Sequence, residues 1–288
     1  MAMRFQEEMS RRPDIRVTMR LTQGKPIPTH TISDVRRGGK FRPPRGDVRF
    51  TDARLVSVDF SGAAFDRFVS AGSDFEACNF SRVRFGRNTR SWLGSERRTL
   101  YRDCTFDEAD MRDVNFGQSR FERCSFRGTR MEKWFSIAAE FVDCLFEASV
   151  RECTFYGRPN RRLEPRLQLD RELNEFRGND FSRAILRDCV FRDGIDLDAQ
   201  RFPTGPEYVW LRSFRRRIAP TRAALVQRLR GVELERALRY LRMLETTYRD
   251  QSDVLLDLRD TKTPGWLDVV RLLAETSNDI AAPPEVNG

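Results

Sequence analysis

The stretch CTFDEADMRDVNFGQSRFERCSFRGTRM, residues 104–131, sets a large apolar residue at every fifth position (Phe106, Met111, Phe116, Phe121, Phe126, Met131). Two places before each stands a small one: Cys104, Ala109, Val114, Ser119, Cys124, Thr129. A helix repeats its apolar positions every three or four residues and a strand every two, so a period of five fits neither. It fits a chain that turns a corner every five residues. The count extends upstream through Phe50, Leu55, Phe60, Phe65, Phe75, Phe80 and Phe85, and downstream through Phe141, Phe146, Phe176, Phe181, Leu186 and Phe191. Sixteen of the 22 phenylalanines hold the large position, so the spacing is not an accident of composition.

On these residues the chain resembles the pentapeptide repeat family, whose members wind four pentapeptides into each turn of about 20 residues of a right-handed quadrilateral β-helix. The resemblance implies a mainly β solenoid. Residues 20 apart then stack, with Cys104, Cys124 and Cys144 forming one inward column and Phe106, Phe126 and Phe146 another. The repeat body amounts to about six turns and a rod of roughly 29 Å at ~4.8 Å per turn. Ser70 and Ser136 occupy large positions while Phe68 and Trp134 occupy the preceding small ones, an exchange that conserves volume. At Arg151 the register slips, and Phe155 recovers it.

All six cysteines fall on small inward positions and match no zinc spacing, so they read as buried hydrophobes rather than ligands or disulfides. No phosphate loop, nucleotide fingerprint or nucleophile elbow is present. The single histidine, His30, stands between Thr29 and Thr31 and reads as a surface residue. A non-enzymatic protein without cofactor or metal is expected. With no signal peptide and no membrane-spanning stretch it is expected to be cytoplasmic.

Three regions follow: a basic N-terminal arm (1–46), the repeat body (47–202) with insertion loops at 86–102 and 157–173, and a helical C-terminal region (203–288) ending in a flexible tail. The arm carries a net charge of +7 and the loops are basic, whereas the remaining walls are mildly acidic. Arg36, Arg37, Lys40, Arg42 and Arg45, among glycines and prolines that forbid a regular element, are candidate phosphate contacts. Upstream, Ile15, Val17, Met19 and Leu21 alternate as a strand would. In the loops, Trp92, Leu93, Arg87, Arg90, Arg97 and Arg98, with Arg158, Arg161 and Arg162, are candidate partner contacts, since loops on rigid scaffolds carry function and Trp and Arg dominate hot spots.

In the C-terminal region Pro206 is read as starting one helix, Pro220 and Thr221 as a break, and Gly231 as a stop. Leu234, Leu238, Leu241, Leu244 and Tyr248 form an amphipathic stripe, and Thr263 and Pro264 open a last helix bearing Trp266, Val269, Val270 and Leu273. The bundle serves as a lid on the final turn or as a dimer interface, leaving the protein a monomer or a homodimer through these helices. A macromolecular interaction scaffold is the expected function, with a protein partner, or with nucleic acid through the arm and loops. The family resemblance also implies topoisomerase protection by an acidic rod that resembles DNA. Here arginines such as Arg112, Arg120, Arg123, Arg127 and Arg130 interrupt the acids.

Overall fold

The structure, a computed structural model, describes residues 15–22, 25–86, 91–159, 167, 169–259 and 265–276. Short parallel strands stack in register along the walls of a coil: Phe121 pairs with Tyr101 below and Phe141 above. Where the sequence is unbroken the paired residues are 20 apart, as in Leu55↔Phe75 and Phe65↔Phe85. The residue two places after a large one repeatedly sits in the left-handed region, including Ser57, Glu108, Asp113, Arg123 and Asp143. These are the corners. Non-glycine residues adopt that conformation at a cost, and ladders above and below hold them there.

Inside, Phe60, Phe80, Phe106, Phe126, Phe146, Phe181 and Phe202 form one continuous stack with ring centroids 4.2 to 5.5 Å apart. Each such contact adds about 0.5–1.5 kcal/mol to the burial itself. The cysteines sit beside the rings as free thiols, five buried and Cys189 partly so. Each donates to the carbonyl of the large residue one turn below, as Cys124 does to Tyr101 at 3.3 Å and Cys144 to Phe121 at 3.5 Å. Burial pushes the Cys124 thiol up from its ordinary pKa, and Cys189 up to about 12, so neither is a ready nucleophile.

The two size exchanges pack as volume conservation requires. Trp134 fills the corridor between Phe116 and Phe155, with ring centroids at 4.4 and 4.9 Å. Ser70 bonds the Leu93 carbonyl (2.6 Å) and the Tyr101 hydroxyl (3.1 Å) while Phe68 fills the space. At the slipped register Met131 pairs with Val150, 19 residues on, so Val150 takes the inward place and Arg151 faces out.

The coil begins earlier than the repeat count does, which corrects the boundary at 46. Strand Ile15–Thr22 pairs antiparallel with Lys25–Ile32, and the latter pairs in parallel with Asp47–Thr51. Ile32 lies beneath Phe50, Phe41 stacks beside Phe60, and Arg36 lies beneath Leu55. Glycines and prolines did not forbid regular structure here: Val35–Arg37 is a strand. His30 is buried beside Val48, its Nε2 3.0 Å from the Arg45 carbonyl, rather than on the surface.

The other end is sealed by an antiparallel ribbon, Tyr208–Leu211 with Val254–Asp257, and by helices α1 (Phe214–Arg228), α2 (Gly231–Thr247) and α3 (Trp266–Glu275). Leu255 enters the coil core, Trp210 meets Phe202 at 5.7 Å, and the Tyr208 hydroxyl bonds the Leu186 amide. The ribbon thus caps the last turn. Three sequence expectations give way. Tyr208 and Leu211 belong to a strand, Pro220 lies inside α1, and Gly231 opens α2 instead of ending a helix. Thr263 and Pro264 lie outside the described residues.

Candidate functional site

The interruption at 86–102 is largely coil. Asp74 pairs with Leu100, 26 residues on instead of 20, so only a few of its residues are surplus to the turn. Trp92 bridges Val69 below and Asn115 above, Leu93 is fully buried, and Thr99–Arg102 is a wall strand. A Cβ on Gly117, at φ +51°, would collide with the Gly94 carbonyl, so the Trp92 course and the one above it meet backbone to backbone. Leu93 therefore cannot be a contact residue. Trp92 lies against the wall, lining a cleft of about 200 Å³ with Arg49, Arg67 and Leu167. Arg97 pairs with Asp52 at 2.6 Å and Arg98 with Glu140. Arg87 and Arg90 lie outside the described residues.

The interruption at 157–173 is a true insertion, since Phe141 pairs with Phe176, 35 residues on. Its Arg171 turns back onto Glu140 (3.6 Å) and the Ala138 carbonyl. Glu140 is only 3 % exposed at its side chain and faces Arg98, Arg120 and Arg171 together, so one carboxylate clamps both interruptions to the same wall. Burial holds Arg171 below its ordinary pKa. Arg161 and Arg162 lie outside the described residues, and Arg158 is exposed.

In the former arm, Arg36 pairs with Asp34 at 2.9 Å and lies over the Phe41 ring, covering the end of the coil. Lys40 pairs with Asp59 at 2.9 Å. Arg37, Arg42 and Arg45 stay exposed and make no ion pair among the described residues. Elsewhere on the walls most arginines meet an acid near them or one turn away: Arg123 with Asp103 (2.7 Å), Arg127 with Asp107 and Glu147, Arg177 with Asp143. Arg82 and Arg130 are exposed exceptions.

Residues 98–133 match the family profile of Pentapeptide repeats, with eight copies. The coil is a pentapeptide-repeat β-helix. No curated protein matches the chain. Among solved structures it is similar to a trypsin-treated form of QnrB1, a plasmid-mediated fluoroquinolone resistance protein (14 % identity, 61 % of this chain, 89 % of that one, TM-score 0.29). It is also similar to HetL, a pentapeptide repeat protein involved in heterocyst differentiation regulation from the cyanobacterium Nostoc sp. strain PCC 7120 (11 % identity, 62 % and 88 % covered, TM-score 0.21).

Beyond the pentapeptide-repeat coil, the helical module also carries arginines that make no ion pair among the described residues. On α2, Val232, Arg236, Arg239 and Met243 succeed one another at helical spacing along the face opposite Ala237, Leu241 and Leu244. Val232 is 60 % and Met243 48 % exposed, and neither arginine makes an ion pair among the described residues. In the sequence Arg236, Arg239 and Arg242 lie to another side of the leucine stripe; the apolar flanks went unread because one residue at each end makes no visible pattern. No helix among the described residues is long and apolar enough to cross a membrane.

Proposed function

We propose that the protein is a non-enzymatic scaffold in which the pentapeptide-repeat coil holds the helical module rigidly and the outer face of α2 engages an acidic protein. The observation that carries this reading is the contrast in pairing: wall arginines are mostly matched by acids, while Arg236 and Arg239, between exposed Val232 and Met243, make no ion pair among the described residues. A cationic face with apolar flanks suits an acidic partner surface, because charge steers the encounter and the apolar contacts retain it. Apart from Val226, Val232 and Met243, the helices' large apolar side chains are buried or partly buried within the chain, which favours a monomer over a homodimer through them. A topoisomerase partner engaged by an acidic stripe receives less support, since the walls of this coil are neutralised from turn to turn. A nucleic-acid partner at the first turn is the second reading, supported by the exposed Arg37, Arg42 and Arg45, which make no ion pair among the described residues.

The test is affinity capture from nuclease-treated lysate with the full chain, its Arg236→Glu/Arg239→Glu variant, and an Arg82→Glu/Arg130→Glu control on the coil. Partners kept by the control and lost by the α2 variant support the proposal. Partners kept equally by all three, or lost on nuclease treatment, contradict it.

A further inference from the structure

Where the coil meets the helical module lies a groove of about 710 Å³, lined by Arg158, Ser213, Arg215, Arg216, Arg249 and Asp250. The four arginines come from three segments far apart in sequence: the second insertion, the first turn of α1, and the connection after α2. None of the four has an ion pair among the described residues, and all are exposed. Against Asp250, the one carboxylate in the lining, they leave the groove three positive charges in excess.

The local sequence makes this cluster costly to build. Residues 215–217 are three arginines at the start of a helix whose first turn contains no acid, so like charges crowd one another at the end of a helix that favours anions. Arg217 has a structural use, since it is buried and donates to the Arg212 and Leu273 carbonyls. Arg215 and Arg216 have none visible among the described residues. A local rule broken without an internal compensation marks a place where the compensation comes from outside.

The groove has a fixed floor. The Gln251 side chain accepts from the Gly194 and Ile195 amides at 3.0 and 3.1 Å and donates to the Ile195 carbonyl at 2.7 Å, locking the loop between α2 and the ribbon onto the coil. No aromatic or aliphatic side chain lines it, so it offers a nucleobase, an acyl chain or an apolar side chain nothing to rest on. What remains is recognition by guanidinium forks, which match phosphate oxygens two at a time. The volume and the charge both exceed what a single phosphate satisfies.

We propose that this groove binds an anion carrying two or more phosphate groups, recognised through its phosphates alone. The probe is sodium tripolyphosphate, titrated calorimetrically into the full chain at constant ionic strength, with orthophosphate and sulfate as comparisons. Tripolyphosphate is expected to bind at least about tenfold tighter than orthophosphate. Arg216→Gln/Arg249→Gln is expected to lose about tenfold or more of that affinity, with the melting temperature of the unliganded protein unchanged, because both side chains are exposed. Arg82→Gln/Arg130→Gln removes the same charge from the coil and is expected to bind as the parent does. Equal losses in the two variants, or tripolyphosphate no tighter than orthophosphate, would overturn the proposal. A short DNA duplex identifies the source of the phosphates. If tripolyphosphate displaces it and the groove variant weakens it, they belong to a nucleic-acid backbone; if neither occurs, they belong to a small oligophosphate.

Discussion

In the coil, Arg123 reaches Asp103 and Arg177 reaches Asp143; in the helical module, Arg236, Arg239, Arg215 and Arg216 make no ion pair among the described residues. Parallel in-register stacking explains the first. It brings each wall position over its counterpart one turn below, so a charge there has a fixed neighbour that sequence can match. The helices lack that stacked register, so pairing there depends on the single partner in reach: Arg222 finds Glu245 and Arg228 finds Glu275, whereas Arg236 and Arg239 make no ion pair among the described residues. On the proposed reading, the coil holds the module and the module meets the partner.

The largest test of that division addresses the coil's packing. Trp134→Ala should cost about 3–5 kcal/mol in a denaturant titration, because the corridor between Phe116 and Phe155 cannot collapse between fixed walls. A loss below about 1 kcal/mol would mean that the walls are soft. Next comes the clamp. Glu140→Ala should cost about 2–4 kcal/mol by taking from the largely buried Arg171 the carboxylate it faces, and should expose both interruptions to proteolysis. Should the cuts fall elsewhere, Glu140 does not hold them.

Smaller effects sharpen the comparison. Cys124→Leu should lose about 1–3 kcal/mol by overpacking beside the ring stack, with Cys124→Ala losing less; equal midpoints for both would remove the tight inward column. The smallest effect separates wall charge from module charge. Arg123→Ala should shift stability by under about 1 kcal/mol, since its pair is exposed, and Arg236→Ala by nothing measurable. Acid should reveal the same asymmetry. A hydrogen bond from Ser61 and the Lys40 ammonium hold Asp59 down to about 2, and Arg123 holds Asp103 below its ordinary value. Carboxyls depressed in the folded state stabilise it above their unfolded values near pH 4, and that contribution fades as pH falls toward 2. Pairing-dependent loss should therefore appear below about pH 4, and an acid midpoint unaltered in Arg123→Ala would show that this pair contributes nothing.

The five-residue period made the coil legible because its cause is local: each small and large pair faces inward wherever the corner recurs. The first turn was illegible because its large places hold Ile32, Arg36 and Phe41, with only four residues from the first to the second and an arginine where an apolar residue is expected. Trp92 and Leu93 read as a projecting loop since surplus residues at two corners hid the course between them. Arg98 and Arg171 looked like free charge for want of Glu140, whose role depends on three distant segments. The charged groove failed to appear for the same reason, although three successive arginines at 215–217 were a local signal.

The pairings Asp74↔Leu100, Met131↔Val150 and Phe141↔Phe176 span 26, 19 and 35 residues, yet the inward columns run through all of them. Length is thus edited between courses, never within them. A scaffold of this kind has sockets: the segment after Phe85 and the one after Tyr156 already accept extra chain while the rings above and below keep their order. Foreign peptides spliced at those two places would be displayed from a rod that does not register their presence, and evolution has had the same freedom to vary what the protein presents without renegotiating what holds it up.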